Sequence, residues 1–385
     1  MRVLTVLTYY RPHTSGLTIY AERLARALAC RGHQVTVFTS QYMKSLPLEE
    51  VVDGVKIIRA PVAFRVSKGV ISPTFGLRAT QLVRDHDVLQ LHLPQFDAPG
   101  VALRGRLFHK PTVLTYHCDL RLPSGPFNYF VNQVVNVMNH LAARWSDRIV
   151  TYTRDYADHS AYLSRYSRKL KIIQPPVELP AIPPEAISNF AREHDTQRHH
   201  PVIGMAARFA AEKGVEVLLD ALPEIIEKHP QAQVLFAGQY QDVMGEQEYF
   251  HRLLPRIQHY RERGQWKFLG VLDPAQMAAF YPNLDVLVVP SLNSTEAFGL
   301  VQIEAMMNGI PCAACALPGV RQPVLTTGMG KVTPIGDAPA LAKGILEILE
   351  DSSQYRGDPA AIARRYAPDT VAAEYEAMFE EMMGR

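Results

Sequence analysis

The sequence lacks any long hydrophobic run. In its 385 residues no uninterrupted apolar stretch approaches the roughly 20 residues that a membrane-spanning helix needs. The apolar run in residues 1–13 is too short for a secretory signal peptide and has the pattern of a first β-strand. Low-complexity tracts and short-period repeats are also missing, which excludes the disordered and repeat classes. We therefore expect a globular protein of the cytoplasm.

Cysteine is scarce, and its four positions do not indicate a metal or disulfide framework. Cys30 and Cys118 stand alone, whereas Cys312 and Cys315 form a C-x-x-C pattern. A zinc site would need a second pair or nearby histidines, and a redox pair usually lies at the start of a helix. Residues 311–316 have instead the small, apolar composition of a buried strand. We interpret the pair as core packing.

The chain has little net charge, +2 in total, but the charge is unevenly distributed. Residues 1–180 carry 23 Lys/Arg against 12 Asp/Glu, and residues 181–385 carry 17 against 26. The resulting charges of +11 and −9 have two interpretations, which we weigh equally. The halves attract each other, or the first half meets an anionic partner such as a lipid surface or a phosphate-bearing acceptor.

Strand-like and helix-like segments alternate along the chain, which predicts parallel sheets with crossover helices. Five prolines between Gln174 and Pro184 interrupt this alternation and indicate a semi-rigid linker. We predict an α/β protein with two Rossmann-like, doubly wound parallel-sheet domains that face each other across a cleft. The N-terminal domain covers residues 1–175, the linker 176–188 and the C-terminal domain 189–366.

The most informative motif lies in residues 290–305, where an apolar strand leads into a short polar loop and then a helix. The loop thus follows the carboxyl end of a strand, where open α/β sheets bind ligands. Gly299 would let a ligand approach the backbone, and free amides at the helix start suit a diphosphate. Glu296 and Glu304 can face the same cleft, where carboxylates accept hydrogen bonds from the hydroxyls of a sugar and a ribose.

A second motif runs from Arg208 to Lys213 and Gly214, between a predicted strand and a predicted helix. Two cations five residues apart beside a helix N-terminus suit a pyrophosphate leaving group. Each charge-assisted contact of this kind is worth about 1.5–3 kcal/mol. Alone, such a pair is also typical of exposed surface charge. Together with the two carboxylates it indicates a diphosphate site.

With these motifs the chain resembles the retaining GT-B glycosyltransferases of family 4 (glycosyl transferases group 1) over nearly its whole length. The match lies in Arg208, in Lys213-Gly214 and in EAFGLVQIEAMMNGIPC, which begins at Glu296. The resemblance implies the GT-B architecture and the transfer of a hexose from a nucleotide-diphosphate sugar, either a UDP- or a GDP-sugar. We expect no prosthetic group, and no metal because the D-x-D sequence Asp85-His-Asp87 precedes a strand instead of following one. The resemblance also implies a C-terminal helix over residues 367–385 that packs back on the N-terminal domain.

The resemblance assigns roles to the donor-site residues. Arg208 and Lys213 are expected to contact the diphosphate, Glu304 the ribose and Glu296 the donor sugar. The donor site should further include six positions where the backbone comes close to the ligand: Gly16, Gly238, Ala297, Phe298, Gly299 and Leu300.

In the N-terminal domain the family has a Gly-Gly loop after the first strand, and here Ser15 stands before Gly16, which narrows the loop's freedom. The resemblance makes His117 the residue nearest the reacting centre, with Asp119 orienting either His117 or the acceptor. Residues 123–145 follow, and they predict either a helix packed on the sheet or an apolar entrance for a lipid-linked acceptor. The acceptor side is assigned four residues: Ser15, Asp119, Phe127 and Tyr129.

No carboxylate in the N-terminal half has the context of a catalytic nucleophile. We therefore predict front-face substitution, in which the leaving diphosphate takes the proton of the acceptor hydroxyl. The catalytic residues would be His117, Arg208, Lys213 and Glu296. The expected partners are the nucleotide sugar, a glycan or a polyprenyl- or lipid-linked acceptor, and an anionic surface on the inner face of the membrane. We expect no nucleic-acid partner.

Three other functions share some of these features. A GT-B nucleotide-sugar epimerase would need acid and base carboxylates beside the sugar. A nucleotide-sugar-binding protein without turnover would not need the intact set of cations, carboxylates and His117. A Rossmann dehydrogenase would need a G-x-G-x-x-G motif after a first strand, and the sequence has none. The motif from Glu296 to Glu304 favours transfer over epimerisation, and the intact set of residues argues against a protein without turnover.

Overall fold

The computed structural model describes residues 1–66, 69–120 and 125–384. The chain divides into two units. The first unit consists of Met1–Val177 together with Arg365–Arg385, and the second of Glu178–Arg364.

The first unit is built on an eight-stranded sheet and has a separate antiparallel pair of strands, Phe64–Val66 and Gly69–Ile71. In chain order the strands are β1 (Arg2–Val6), β2 (Gln34–Gln41), β3 (Glu49–Val52), β4 (Val55–Pro61), β5 (Phe64–Val66), β6 (Gly69–Ile71), β7 (Val88–Leu93), β8 (Thr112–Tyr116), β9 (Arg148–Thr151) and β10 (Leu170–Ile172). The sheet order is β10-β9-β8-β7-β1-β2-β4-β3, and every neighbouring pair except β3 and β4 is parallel. Strands β7 and β8 are buried at every residue because helices cover both faces of the sheet.

The helices of this part of the chain follow the strands as crossovers. They are α1 (Gly16–Cys30), α2 (Phe75–Asp85), α3 (Ala98–Leu107), α4 (Pro126–Trp145) and α5 (Arg154–His159).

The second unit is a six-stranded, wholly parallel sheet with helices before and after its strands. Its strands are β11 (Val202–Ala206), β12 (Gln233–Ala237), β13 (Trp266–Gly270), β14 (Val286–Val289), β15 (Cys312–Cys315) and β16 (Gly330–Thr333). Its helices are α6 (Pro184–His194), α7 (Val215–Lys228), α8 (Gln247–Arg261), α9 (Pro274–Phe280), α10 (Leu300–Met306), α11 (Gln322–Thr327), α12 (Ala338–Glu350) and α13 (Pro359–Tyr366), the last of which runs into the first unit.

The strand order of the second sheet, β13-β12-β11-β14-β15-β16, is that of a doubly wound fold. The order reverses between β11 and β14, and in the first sheet it reverses between β1 and β7. The prediction of two parallel-sheet α/β domains is confirmed. Cys312 and Cys315 are both buried in β15, in agreement with core packing.

One strand pair differs from the sequence-based expectation. Strands β3 and β4 form a hairpin across Asp53 and Gly54, whose φ angles of 52° and 77° are both positive. A two-residue Asp-Gly turn of this type matches the right-handed twist of the flanking strands. The Val-Asp-Gly-Val sequence was a usable signal, but the charged composition of Glu49–Val52 concealed the strand.

The segment 176–188, predicted as a linker, is partly helical. Helix α6 begins at Pro184, and proline suits the first turn because the missing N–H would have no intrahelical partner there. The first unit extends to Val177, whose N–H donates to Tyr366 O at 2.8 Å. The irregular part is therefore shorter than predicted.

The end of the chain belongs to the first unit. Helix α14 (Pro368–Met383) packs against α1. The Oη of Tyr375 lies 2.7 Å from Tyr20 Oη and 2.9 Å from Thr115 Oγ1, inside the core. At the surface, Arg31 Nη2 lies 2.6 Å from Glu376 Oε2.

Candidate functional site

Two loops of the second unit meet where its strand order reverses. The β11 loop (residues 207–214) follows β11, and the β14 loop (residues 290–299) follows β14. Lys213 Nζ lies 2.5 Å from Glu296 Oε2, so this ion pair joins the two loops, and both side chains are only about one-fifth exposed. The carboxyl edge at such a reversal is the usual ligand site of a doubly wound sheet. The cation and the carboxylate are thus held together at the expected place.

Gly214 allows the two loops to approach each other. Its φ is 70°, and a Cβ added there would lie 2.1 Å from the carbonyl oxygen of Pro290. The contact is reinforced by the N–H of Leu292, which donates to Glu212 O at 2.9 Å. A side chain at position 214 would therefore separate the loops that carry Lys213 and Glu296.

Two more positions assigned to the donor site are Arg208, in the β11 loop, and Gly238, beside it. Arg208 is about half exposed, and its Nη2 lies 3.1 Å from Glu212 Oε1 in the same loop. Gly238 follows β12 with φ 134°, and a Cβ there would lie 2.1 Å from Ala207 O. The backbone after β12 thus packs directly against the β11 loop.

The side chain of Gln302 holds the end of the β14 loop by hydrogen bonds to the backbone. Its Nε2 donates to Phe298 O at 3.0 Å and to Val320 O at 2.9 Å. Ala297 and Phe298 are buried, and Gly299 has φ 78° immediately before Leu300, the first residue of α10. The first amides of a helix have no intrahelical partner, so this backbone can donate to a ligand.

Glu304 lies in α10 and is 8% exposed. The hydroxyl of Tyr281 donates to Glu304 Oε2 at 2.7 Å. The two carboxylates of the motif therefore have different partners, since Glu296 pairs with a cation and Glu304 with a neutral phenol.

In the first unit His117 follows β8, and both of its ring nitrogens are hydrogen-bonded. Nε2 lies 2.8 Å from His92 Nδ1, and Nδ1 bonds to the hydroxyl of Tyr152. Burial and, secondarily, His92 lower the pKa of His117 well below its usual range, and burial lowers the pKa of His92 to about 3. Both rings are neutral near pH 7. A sugar hydroxyl can bond a ring nitrogen of His117 only by replacing one of these two partners.

Asp119 bonds to residues other than His117. Its Oδ1 accepts hydrogen bonds from Tyr116 Oη and Ser160 Oγ, each at 2.8 Å, and its N–H donates to Tyr156 Oη at 2.6 Å. These contacts tie the residue to β8 and to the end of α5. The orientation of His117 comes instead from His92 and Tyr152.

Ser15 and Gly16 form the start of α1. Ser15 Oγ accepts from Thr18 N, and Thr18 Oγ1 accepts from Ser15 N, which makes a capping box. Gly16 has no atom within 4 Å of a hypothetical Cβ. Neither backbone strain nor a neighbour requires glycine there, so its lack of a side chain leaves open space beside the helix N-terminus.

The two aromatic residues assigned to the acceptor side lie in the first turn of α4. Phe127 is 57% and Tyr129 67% exposed, and the adjacent Phe130 is 65% exposed. Large apolar side chains are exposed to this degree at surfaces that meet another molecule more often than elsewhere. Residues 123 and 124 of the predicted entrance segment 123–145 lie outside the described residues.

Sequence reasoning missed several polar residues at these edges. Strand β7 reads VLQLHL, and its polar residues Gln90 and His92 occupy alternate positions on one buried face, which was the available signal. Gln95, after β7, is 3% exposed, and neither of its amide atoms has a hydrogen-bond partner among the described residues. Tyr152 and Tyr281 had no local signal.

Two further properties apply to residues 1–66, 69–120 and 125–384. No group of three or more His, Cys, Asp or Glu side chains within them is arranged to hold a metal ion. None of their helices combines the length and apolar character that crossing a membrane requires.

Two family models cover most of the chain. The model described as Glycosyltransferase Family 4 matches residues 14–180, and that described as Glycosyl transferases group 1 matches residues 187–366. The chain belongs to glycosyltransferase family 4. It is a nucleotide-sugar-dependent glycosyltransferase, as the sequence predicted.

Curated relatives match this family 4 chain over nearly its whole length. A phosphatidyl-myo-inositol mannosyltransferase of Mycobacterium leprae is 26% identical, over 99% of this chain and 96% of the relative. A glycogen synthase of Mycobacterium tuberculosis is also 26% identical, over 95% and 88%.

Solved structures share the GT-B fold. Anabaena HepE in complex with UDP-glucose has a TM-score of 0.77 at 18% identity, covering 99% of this chain and 100% of the other. WaaG, a glycosyltransferase involved in lipopolysaccharide biosynthesis, has a TM-score of 0.69 at 15% identity, covering 100% of both chains.

Proposed function

We propose that the protein is a retaining hexosyltransferase that uses a UDP- or GDP-sugar and glycosylates a hydroxyl of a lipid-linked acceptor. The observation that carries the proposal is the Lys213–Glu296 ion pair, which joins two loops at the strand-order reversal of the second sheet. At this position the cation can bind the anionic diphosphate of a nucleotide sugar, and the carboxylate can accept hydrogen bonds from the hydroxyls of its sugar.

In the proposed donor site Arg208 and Lys213 bind the diphosphate, together with the amides near Gly299. Glu296 accepts hydrogen bonds from the donor sugar, and Glu304 from the ribose. When the donor is bound, the ammonium group of Lys213 contacts both the carboxylate of Glu296 and the phosphates. The tight 2.5 Å ion pair supports this arrangement because it holds both groups in place before the ligand arrives.

The proposed reaction proceeds on one face of the sugar. The bond between the anomeric carbon and the phosphate oxygen breaks, and the acceptor oxygen forms its bond on the same side. The acceptor proton passes to the departing diphosphate, whose charge Arg208 and Lys213 stabilise. His117, neutral and held by His92 and Tyr152, is the proposed catalytic residue of the first unit.

The acceptor is proposed to be lipid-linked and to be reached at the inner face of the membrane. Support comes from the exposed aromatic residues Phe127, Tyr129 and Phe130 and from the basic charge of the N-terminal half. The mannosyltransferase relative is named for a phosphatidylinositol acceptor. A glycan acceptor is the alternative, and the glycogen synthase relative favours it.

The donor site is tested by titration calorimetry of UDP and GDP and of their hexose conjugates. Substituting Lys213→Met should weaken the better nucleoside diphosphate about ten- to a hundredfold, because one charge-assisted contact is lost. The corresponding nucleoside, which has no phosphates, should lose little affinity.

Lys331→Met is the matched control, since Lys331 pairs with Glu347 at 2.6 Å elsewhere in the same unit. It should bind like the wild type. Unchanged diphosphate affinity in Lys213→Met would contradict the proposed site. Conversion of the free nucleotide sugar into its epimer without an acceptor would favour the epimerase instead.

A further inference from the structure

The two motif carboxylates differ in what holds them. Glu296 is paired with a cation, whereas Glu304 accepts a hydrogen bond from the phenol of Tyr281 at 2.7 Å. A phenol orients a carboxylate without cancelling its charge. Hydrogen bonds to an ionised acceptor are roughly twice as strong as those between neutral groups. Oε2 of Glu304 is therefore held by a hydrogen bond from a neutral donor.

Tyr281 is itself held firmly. It is 0% exposed and begins the turn Tyr281–Asn283 between α9 and β14. Asn283 Nδ2 donates to Ala279 O at 2.8 Å, and Leu284 N donates to Tyr281 O at 3.0 Å, so both ends of the turn are tied down. The ring packs edge-on against Phe280, with 5.2 Å between centroids. The hydroxyl is thus directed at Glu304 by the fold of the unit.

We propose that Tyr281 is the positioning residue that directs Glu304 toward the vicinal hydroxyls of the nucleotide's ribose, and that the pair makes the site prefer ribonucleotides to deoxyribonucleotides. This inference rests on the proposed function, in which Glu304 binds the ribose. A carboxylate bonds both hydroxyls of a vicinal diol when each of its oxygens meets one O–H along a lone-pair direction. The hydrogen bond from Tyr281 Oη to Glu304 Oε2 orients the carboxylate for this contact with the two ribose hydroxyls.

The test measures the dissociation constants of UDP and GDP, each beside its 2′,3′-dideoxy analogue, by titration calorimetry. The wild type should bind the preferred ribonucleotide at least about tenfold more tightly than its dideoxy form. Tyr281→Phe removes only the hydroxyl and should weaken the ribonucleotide about tenfold. It should leave the affinity for the dideoxy form within about twofold.

Two further variants separate positioning from a general effect on the fold. In a Glu304→Ala background, Tyr281→Phe should cause no further loss of discrimination, because the group it positions is gone. Tyr249→Phe removes another buried hydroxyl of the same unit, which accepts from Glu216 N at 3.2 Å. That control should bind both forms like the wild type.

Each result bears on a different claim. Equal weakening of both forms by Tyr281→Phe, or no weakening of either, would overturn the positioning role. Unchanged discrimination in Glu304→Ala would instead overturn the assignment of Glu304 to the ribose, which belongs to the proposed function. If the wild type binds neither UDP nor GDP, both the inference and the proposed donor fail.

Discussion

His92 and His117 lie in the first unit with their rings stacked, at 5.1 Å between centroids, and Tyr20 packs edge-on against both. A neutral imidazole has one N–H and one acceptor nitrogen, so the chain from Tyr152 through His117 to His92 has a single direction of donation at a time. A proton added to either ring would break this order inside a buried cluster. The arrangement is therefore sensitive to acid.

This sensitivity predicts the pH dependence of stability. Burial lowers the pKa of both histidines, to about 3 for His92, so between that value and about 6.5 the unfolded chain binds more protons than the folded one. Stability should fall as the pH drops below about 6.5. For His92 alone the loss between pH 6.5 and 5.0 is expected to be about 2 kcal/mol. Urea unfolding at the two pH values measures it.

His92→Asn is the informative comparison because asparagine can hydrogen-bond near the position of Nδ1 but does not titrate. The variant should show a shallower loss of stability on acidification than the wild type. Fluorescence of Trp145 in a Trp266→Phe background follows the first unit, since these are the two tryptophans of the chain. Identical pH dependence in the variant and the wild type would rule out His92 as a source of the acid sensitivity.

At the scale of single residues, the sequence predicted functional residues that belong to a recognisable local motif. It missed the residues, distant in the chain, that hydrogen-bond to them. Lys213 and Glu296 were identified because each follows a strand at the carboxyl edge, where the topology brings such loops together. Tyr281 and His92 lie 23 and 25 residues from the side chains they bond. Hydrophobic periodicity and helix-capping patterns are local, so they do not predict which buried polar side chains hydrogen-bond to each other across such distances in the chain.

Among the elements, α14 shows how a buried polar contact differs from surface ion pairs. Tyr375 completes a hydrogen-bonded chain with Tyr20 and Thr115 in the core. Arg31 joins the same two helices at the surface, through Glu376. Surface pairs are screened by solvent, whereas a buried hydroxyl left without a partner carries its full cost of desolvation.

Tyr375→Phe should therefore destabilise the first unit by about 1–3 kcal/mol, since the hydroxyls of Tyr20 and Thr115 lose a buried partner. Arg31→Ala, which removes the surface pairing of the same helices, should have a smaller effect. Denaturant unfolding of both variants against the wild type measures the difference. A larger loss for Arg31→Ala would show that the ion pairs, rather than the tyrosine cluster, attach α14.

Elements with a strong local signal were predicted well. Helix α1 has its Ser15 cap and an apolar stripe, and a parallel strand such as β14 is a continuous run of Val and Leu. The failures were short elements whose formation depends on the neighbouring chain. Strand β3 exists because β4 supplies its hydrogen bonds, and proline-rich composition concealed the start of α6 at Pro184.

For the whole molecule, the fold adds acidic residues from the C-terminal segment to the basic N-terminal part of the chain. Residues 365–385 bring five acidic side chains to the first unit, which then has 25 Lys/Arg against 16 Asp/Glu, a net charge of +9. Two basic residues pair directly with acidic residues of this segment, since Arg31 bonds to Glu376 and Arg148 Nη2 lies 3.1 Å from Glu381 Oε1. The first unit therefore keeps a net positive charge after α14 has joined it.

We expect the protein to bind vesicles that contain about one-third phosphatidylglycerol and to bind neutral phosphatidylcholine vesicles weakly. Binding should fall as salt rises, because each basic group near the surface contributes about 1 kcal/mol within a Debye length. The paired substitutions Phe127→Ser and Tyr129→Ser should reduce binding through lost apolar contact. Cosedimentation at 0.05 and 0.5 M salt is the measurement.

Leu325→Ser is the control, since Leu325 is 62% exposed but lies in α11 of the second unit. It should bind like the wild type. Equal binding to neutral and anionic vesicles, or equal loss in the control, would contradict a membrane contact through α4. Transfer to soluble glucan oligosaccharides but not to vesicle-borne phosphatidylinositol would favour the glycan acceptor.

The division of the chain has a consequence for how the protein is made. The second unit is one continuous segment, whereas the first needs α14 from the far end of the sequence to cover Tyr20. On the ribosome, synthesis runs from the N-terminus at about 5–20 residues per second. The second unit therefore has its complete set of residues first, and the first unit keeps part of its core open until α14 has been synthesised.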